Sequence, residues 1–262
     1  MSGERAIEVH DLTVTYHRKP ALWDVDLELP QGALVGVIGP NGSGKSTFLK
    51  SVMGLVEPSS GWVKLFDRPL DEVRHKVSYV PQRESVDWDF PTNVMDVVLM
   101  GRYGRRGLFR RTTAEDRAIA TESLERVGML PFAKRQISEL SGGQQQRVFL
   151  ARALAEKADI YLMDEPFAGV DAATENAIFQ VFETLRNEGR TLVVVHHDLQ
   201  SAARYFDWIV LLNTRLVACG PIGETFTDEL LAEAYGGKLH LLSQIHELLE
   251  ERGFPIREKG GA

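Results

Sequence analysis

Two stretches of this sequence have the chemistry of anion sites, and they differ by one residue type. "GPNGSGKST", Gly39 to Thr47, fits G-x-x-x-x-G-K-[ST] with Gly39, Gly44, Lys45 and Ser46 at the fixed positions. Its glycines let backbone amides turn inward around phosphates, and a following helix adds the partial positive charge of its N-terminus. Lys45 is positioned to reach the outer phosphates and the Ser46 hydroxyl to bind Mg²⁺. Average composition brings the four fixed positions together by chance in roughly 1% of chains this long. Pro40, Asn41, Gly42, Ser43 and Thr47 complete the candidate nucleotide-binding loop. The second stretch, "LSGGQQQR", Leu140 to Arg147, places Ser141, Gly142, Gly143 and Gln144 at a helix start with no lysine after them.

A third stretch supplies acids. "IYLMDEP" runs through four apolar residues, Ile160 to Met163, into Asp164 and Glu165. Asp164 stands where a phosphate-loop enzyme holds Mg²⁺ opposite its serine. Glu165 lies just past the strand end, where it can polarise a water for in-line attack. An apolar strand ending in acids is weak by itself, and strong downstream of a complete phosphate loop.

These residues need elements to hold them. "AIEVHDLTVTY" and "LWDVDLELP" alternate apolar and polar residues, which predicts half-buried antiparallel strands. "GALVGVIG", "DIYLMDEP" and "RTLVVVHHD" are short apolar runs, as expected of strands buried on both faces. "PSSGWVKLFDRPL" and "KVSYVPQ" add further strands. From about Arg83 the spacing turns helical, in "FPTNVMDVVLMGRYG" and "TAEDRAIATESLERVGM", the second opening on a capping box of Thr112 and Glu115. "AATENAIFQVFETLRNEG" is helical too. Buried strands alternating with helices predict an α/β fold, a parallel core sheet covered on both sides. Its expected division is a core of residues 1–88 and 141–225, a helical insert at 89–140, and a C-terminal helical extension at 226–262.

The bulk numbers exclude several classes. The chain has 262 residues, a formal net charge of −7 and a single cysteine, Cys219. Net acidity argues against a general nucleic-acid binder, and one cysteine fits a reducing compartment. No run of about 18 apolar residues suggests a spanning helix, and the N-terminus lacks the apolar stretch of a secretory signal.

A lysine-free Ser-Gly-Gly at a helix start can still bind a γ-phosphate, so two copies arranged head to tail could each complete the other's site. In company with "GPNGSGKST" and "IYLMDEP", LSGGQ resembles the signature of ATP-binding cassette (ABC) transporter nucleotide-binding subunits, and the likeness covers nearly the whole chain. The resemblance implies a phosphate-loop cassette with an antiparallel N-terminal β subdomain and a helical insert. ATP and Mg²⁺ are its implied cofactors, with Ser141 and Gly143 facing the other protomer's ATP. It makes Tyr16 similar to the adenine-stacking aromatic, Gln82 to the glutamine that contacts Mg²⁺ and relays to the membrane subunits, and Asp171 to the aspartate of the loop crossing the dimer interface. That loop departs from the usual serine-alanine-leucine lead, with Ala168, Gly169 and Val170 instead. His197, directly before Asp198, resembles the histidine on the γ-phosphate. Bland alternatives stand beside these roles. Tyr16 can face a core, Gln82 can be a turn residue, and adjacent strand residues His196 and His197 must point to opposite faces.

"VPQRESVDWDFPTNVMDVVLMGRYG" is similar to the ATPases of bacterial manganese, zinc or iron importers. The partners so implied are integral permease subunits and, indirectly, an extracytoplasmic substrate-binding protein, with the chain on the inner face of the membrane. Trp88, Phe90 and Pro91 either form a socket for a permease helix or pack the insert. The arginines of "RYGRRGLFRR", namely Arg102, Arg105, Arg106, Arg110 and Arg111, read as a solvated or membrane-near loop. A C-terminal helix puts Leu241, Leu242, Ile245, Leu248 and Leu249 on one face, and His240 and His246 share no helix face well. The rival readings are an importer ATPase for another small substrate such as a metal chelate, and a soluble ABC ATPase without a transport role. A stand-alone phosphoryl transferase would have no use for the second loop.

Overall fold

The computed structural model describes residues 4–17, 19–106, 111–236 and 248–253. The elements from the N-terminus are β1 (Arg5–Tyr16), β2 (Lys19–Pro30), β3 (Leu34–Ile38), α1 (Lys45–Val52), β4 (Ser60–Leu65), α2 (Leu70–Val73) and β5 (Val77–Val80). Next come α3 (Val94–Met100), α4 (Tyr103–Arg106), α5 (Ala114–Arg126), α6 (Gly142–Ala155), β6 (Ile160–Asp164) and α7 (Ala172–Asn187). The chain continues through β7 (Thr191–Val195), α8 (Leu199–Tyr205), β8 (Trp208–Asn213), β9 (Arg215–Pro221), α9 (Ile222–Thr225) and α10 (Asp228–Tyr235). They fall into two compact units, Met1–Val73 with Thr191–Ala262, and Arg74–Arg190.

In the first unit β2-β1-β4 form an antiparallel sheet, the expected N-terminal β subdomain. Ile7, Val9, Leu12 and Val14 of β1 are buried while its exposed positions are polar or aromatic. A bulge at Asp11, with φ of 49°, gathers polar atoms of His10, Asp11 and Asp26 within 4.8 Å on the exposed face. The second sheet region pairs β3 in parallel with β7 on one side and β8 on the other, and β9 joins β8 antiparallel. Every residue of β3 and β7 is buried, which is why both read as unbroken apolar runs. Each such valine or leucine contributes about 1.5–3 kcal/mol through burial. The β8–β9 hairpin left no mark in the sequence reading, yet its turn at Thr214 braces the phosphate loop.

The second unit contains the parallel pair β5–β6 and the helices α3 to α7. The helices expected between residues 89 and 140 form, with one change of register. The capping box of α5 is Thr113 with Asp116, not Thr112 with Glu115. The Asp116 carboxylate accepts from the Thr113 backbone at 2.9 Å and from Arg102 Nε at 3.2 Å, and both charged residues are buried. Glu115, by contrast, is exposed. This pairing also corrects the reading of Arg102, which is no part of a solvated loop: its Nη1 donates to the Ala155 carbonyl at 2.6 Å. Arg111 is exposed, while the side chains of Arg105, Arg106 and Arg110 lie outside the described residues. So do Leu241, Leu242, Ile245, His240 and His246 of the expected C-terminal helix. Leu249 is buried, and Arg252 donates to the carbonyls of Ala203 and Phe206 at 2.7 and 2.9 Å.

Candidate active site

In the first unit the phosphate loop joins buried β3 to α1. A β-carbon on Gly39 would fall 2.0 Å from the Leu212 carbonyl oxygen, and one on Gly44 would fall 2.4 Å from that of Ala21. Gly44 also has φ of 98°, a conformation suited to glycine. The loop is therefore held against β8 and β2 so closely that no side chain fits at either position. The Thr214 amide donates to the Ser43 carbonyl at 2.9 Å, and its carbonyl accepts from Trp23 at 2.8 Å. Lys45, almost fully buried, reaches back over the loop, and its ammonium donates to the carbonyls of Gly39 and Pro40 at 2.8 and 2.9 Å. A buried ammonium folded over a glycine-rich loop at a helix start is chemically suited to an anion.

The end of β7 separates the two histidines. His196 is buried, its amide donating to the Val37 carbonyl at 3.1 Å and its ring 5.8 Å from that of Phe206. Burial lowers the His196 imidazole to about 4, so it is neutral at pH 7. His197 is exposed, and Asp198 behind it caps α8 by accepting from the Gln200 amide at 2.9 Å. Tyr16, 46% exposed at the end of β1, does not face a core.

In the second unit β6 is buried throughout and ends at Asp164. Glu165 follows with φ of 52°, the left-handed region that a glutamate enters only under constraint from its surroundings. Its Oε2 accepts from Gln82 Nε2 at 3.4 Å. Two residues on, Phe167 stacks on Phe179 with centroids 4.4 Å apart and touches Phe182 at 5.7 Å. Ile178, Phe179, Phe182 and Leu185 form the buried stripe of α7, so this helix anchors the loop that carries the acid.

α6 starts at the second loop. Ser141 is its N-cap in a capping box: Oγ accepts from the Gln144 amide at 3.4 Å, and Gln144 Oε1 accepts from the Ser141 amide at 3.0 Å. The Ser141 hydroxyl accepts in this cap, so its own hydrogen remains to donate. A β-carbon on Gly143 would meet Val170 Cγ1 at an ordinary 3.6 Å, so the loop before α7 lies beside the signature. Asp171 caps α7, accepting from the Thr174 amide at 2.7 Å, and that backbone hydrogen bond holds its carboxyl below the usual range. The second unit thus brings together Gln82 with Glu165, and Gly143 with the Val170–Asp171 loop. It also contains a residue the motif reading passed over, Arg83, whose guanidinium touches Gly142 and Gln145. Trp88 packs on Phe149 at 4.7 Å, whereas Phe90 is 55% exposed and Pro91 is exposed.

Comparison with known proteins identifies the family of the chain. The sequence model of the family described as ABC transporter matches residues 22–168. The chain is 57% identical over 234 residues to the zinc transport system ATP-binding protein TroB of Treponema pallidum (strain Nichols), covering 89% of this chain and 88% of that one. It is 56% identical over 236 residues to the manganese transport system ATP-binding protein MntB of Bacillus subtilis (strain 168), covering 90% and 94%. Among solved structures it resembles the dimeric structure of MJ0796, a bacterial ABC transporter cassette, with a TM-score of 0.72, 32% identity and coverage of 82% and 98%.

Proposed function

The chain belongs to the ABC transporter family, and from that membership we propose that it is the ATP-hydrolysing subunit of an importer for manganese or zinc ions. The observation that carries the catalytic part is Glu165, held in a left-handed backbone conformation at the end of a buried strand with Gln82 on its carboxylate. The names and extended identity of the two metal-transport relatives support the cargo.

ATP enters with its adenine on Tyr16 and its phosphates in the amides of Gly39 to Thr47. Lys45 exchanges the carbonyls of Gly39 and Pro40 for the outer phosphate oxygens. Ser46, Gln82 and Asp164 offer hydroxyl, amide and carboxylate oxygens, a hard donor set that fits Mg²⁺. That ion, when bound, neutralises charge building on the phosphate oxygens. Glu165 accepts a proton from water as the water oxygen bonds to the γ-phosphorus; the bond to the bridging oxygen breaks, and ADP and phosphate leave. His197 donates to the γ-phosphate.

A second copy, placed head to tail, contributes the Ser141 hydroxyl, the amides of Gly142, Gly143 and Gln144, and the N-terminus of α6. The second loop needs no lysine because the opposite copy's Lys45 already supplies it. Asp171 lies on the loop crossing between copies. Among the described residues no helix is long and apolar enough to cross a membrane. As in a transport system of this family, separate permease subunits are proposed to span the membrane, with this chain on the inner face and an extracytoplasmic binding protein delivering the ion. The testing experiment measures cellular metals by elemental mass spectrometry in a deletion strain complemented with wild type or Glu165→Gln under limiting metals. Manganese or zinc recovers only with wild type. Unchanged metal content in the deletion strain would remove the cargo assignment.

A further inference from the structure

Arg83 follows Gln82 directly, and its guanidinium rests on the start of the signature helix. Nη2 donates to Gln145 Oε1 at 3.0 Å. Gln145, itself buried, donates through Nε2 to the Ile137 carbonyl at 3.1 Å, in the turn that leads into Leu140. A β-carbon on Gly142 would lie 3.1 Å from Arg83 Cζ and 3.2 Å from Nη2. The guanidinium therefore lies against the bare α-carbon of the residue after Ser141. The Arg83 carbonyl is tied as well, accepting from Trp88 Nε1 at 2.9 Å while the Trp88 ring packs on Phe149 of the same helix. Arg83 Nε is buried with no hydrogen-bond partner among the described residues. Stability alone does not favour an unmet buried donor.

We propose that Arg83 is a positioning residue that couples the glutamine loop to the signature of its own protomer, so that Gln82 and Glu165 at one ATP govern where Ser141 and Gly142 meet the other. This rests on the head-to-tail reading above. In that arrangement each Arg83 links the hydrolytic carboxylate of one nucleotide to the γ-phosphate contacts of its neighbour, and the two ATP molecules bind and fire cooperatively. A lysine does not substitute, because one ammonium cannot both lie flat on Gly142 and bond Gln145.

The test uses the full chain carrying Glu165→Gln, with dimerisation followed by sedimentation velocity over an ATP–Mg²⁺ titration. Nucleotide binding to the monomer is read with a fluorescent ATP analogue. Arg83→Ala and Arg83→Lys are expected to bind nucleotide like the parent yet need about tenfold more ATP to dimerise, the scale of one charge-assisted hydrogen bond. Gly142→Ala, which pushes the guanidinium aside, should cost a similar factor in the parent and almost nothing on top of Arg83→Ala, since contacting residues are not additive. Thermal melts check that each variant is folded, and Arg83→Lys, which keeps the aliphatic stem, carries the comparison if Arg83→Ala melts early. Dimerisation of both Arg83 variants at the parent's ATP concentration overturns the proposal, as do losses from Gly142→Ala and Arg83→Ala that simply multiply. A parent that never dimerises with ATP overturns the head-to-tail reading instead, and the coupling with it.

Discussion

The two loops, Gly39–Thr47 and Leu140–Arg147, answer one problem with different backbones. The first wraps tightly, with backbone atoms closing on Gly39 and Gly44 and a buried lysine folded across it. The second is an ordinary helix start, capped by its own serine and open enough at Gly143 for a side chain. Enclosing phosphates from all sides needs the first geometry; touching one exposed phosphate across an interface needs only the second. In the proposed head-to-tail arrangement the lysine-free loop is complete because the partner copy brings the charge.

The largest expected effect comes from removing the base. Glu165→Gln should lower kcat by about 10³-fold, within the range for general base loss, with nucleotide affinity intact and an ATP-bound dimer on gel filtration. A variant with near-normal turnover would move the water-activating role elsewhere. Ser141→Arg should come next, cutting turnover about 10²-fold by placing bulk at the second loop, while monomeric ATP binding is unchanged. If monomeric binding falls instead, both loops serve one nucleotide and the contrast between them fails.

Acid separates their supports. His196 donates its amide to β3, the strand that feeds the first loop. Its folded imidazole titrates at about 4, against about 6.5 when unfolded. As pH falls from about 6.5 toward 4 the unfolded chain binds a proton that the folded chain refuses, so up to about 3 kcal/mol of stability is lost across that window. Hydrogen exchange at pH 5 should show protection dropping in β3 and β7 before α6; His196→Asn should flatten the pH dependence. The smallest effect contrasts the glycines. Gly44→Ala should destabilise by about 2 kcal/mol through strain and the clash with Ala21. Gly143→Ala, inside a helix with room for a methyl, should be neutral or stabilise by about 0.5 kcal/mol. Urea denaturation of both reads the difference.

Much of the fold was legible in local pattern. The unbroken apolar runs of β3, β6 and β7 mark strands buried throughout, and Ser141 marks a helix start because capping chemistry is local. The α5 cap shifted by one residue because Asp116 is drawn inward by Arg102, which is held in turn by the Ala155 carbonyl, 53 residues further along the chain and near it only once folded. The β8–β9 hairpin escaped notice because no motif marks Thr214, whose value is a backbone contact to Ser43. Arg83 was hidden in the same way: its partners Gly142 and Gln145 lie some sixty residues downstream. The choice between His196 and His197 is a matter of two strand faces in the sequence, and burial assigns His196 to the inner one.

The sequence by itself determined the chemistry: a phosphate loop with its lysine, an acid pair after an apolar strand, and a capped Ser-Gly-Gly, because each is encoded by neighbours along the chain. Only the tertiary structure decided which glycines are irreplaceable, which histidine is buried, which arginine leaves the surface and which one rests on the signature. Those outcomes depend on contacts between residues far apart in sequence, where close packing leaves room for one arrangement and local pattern carries no record of it.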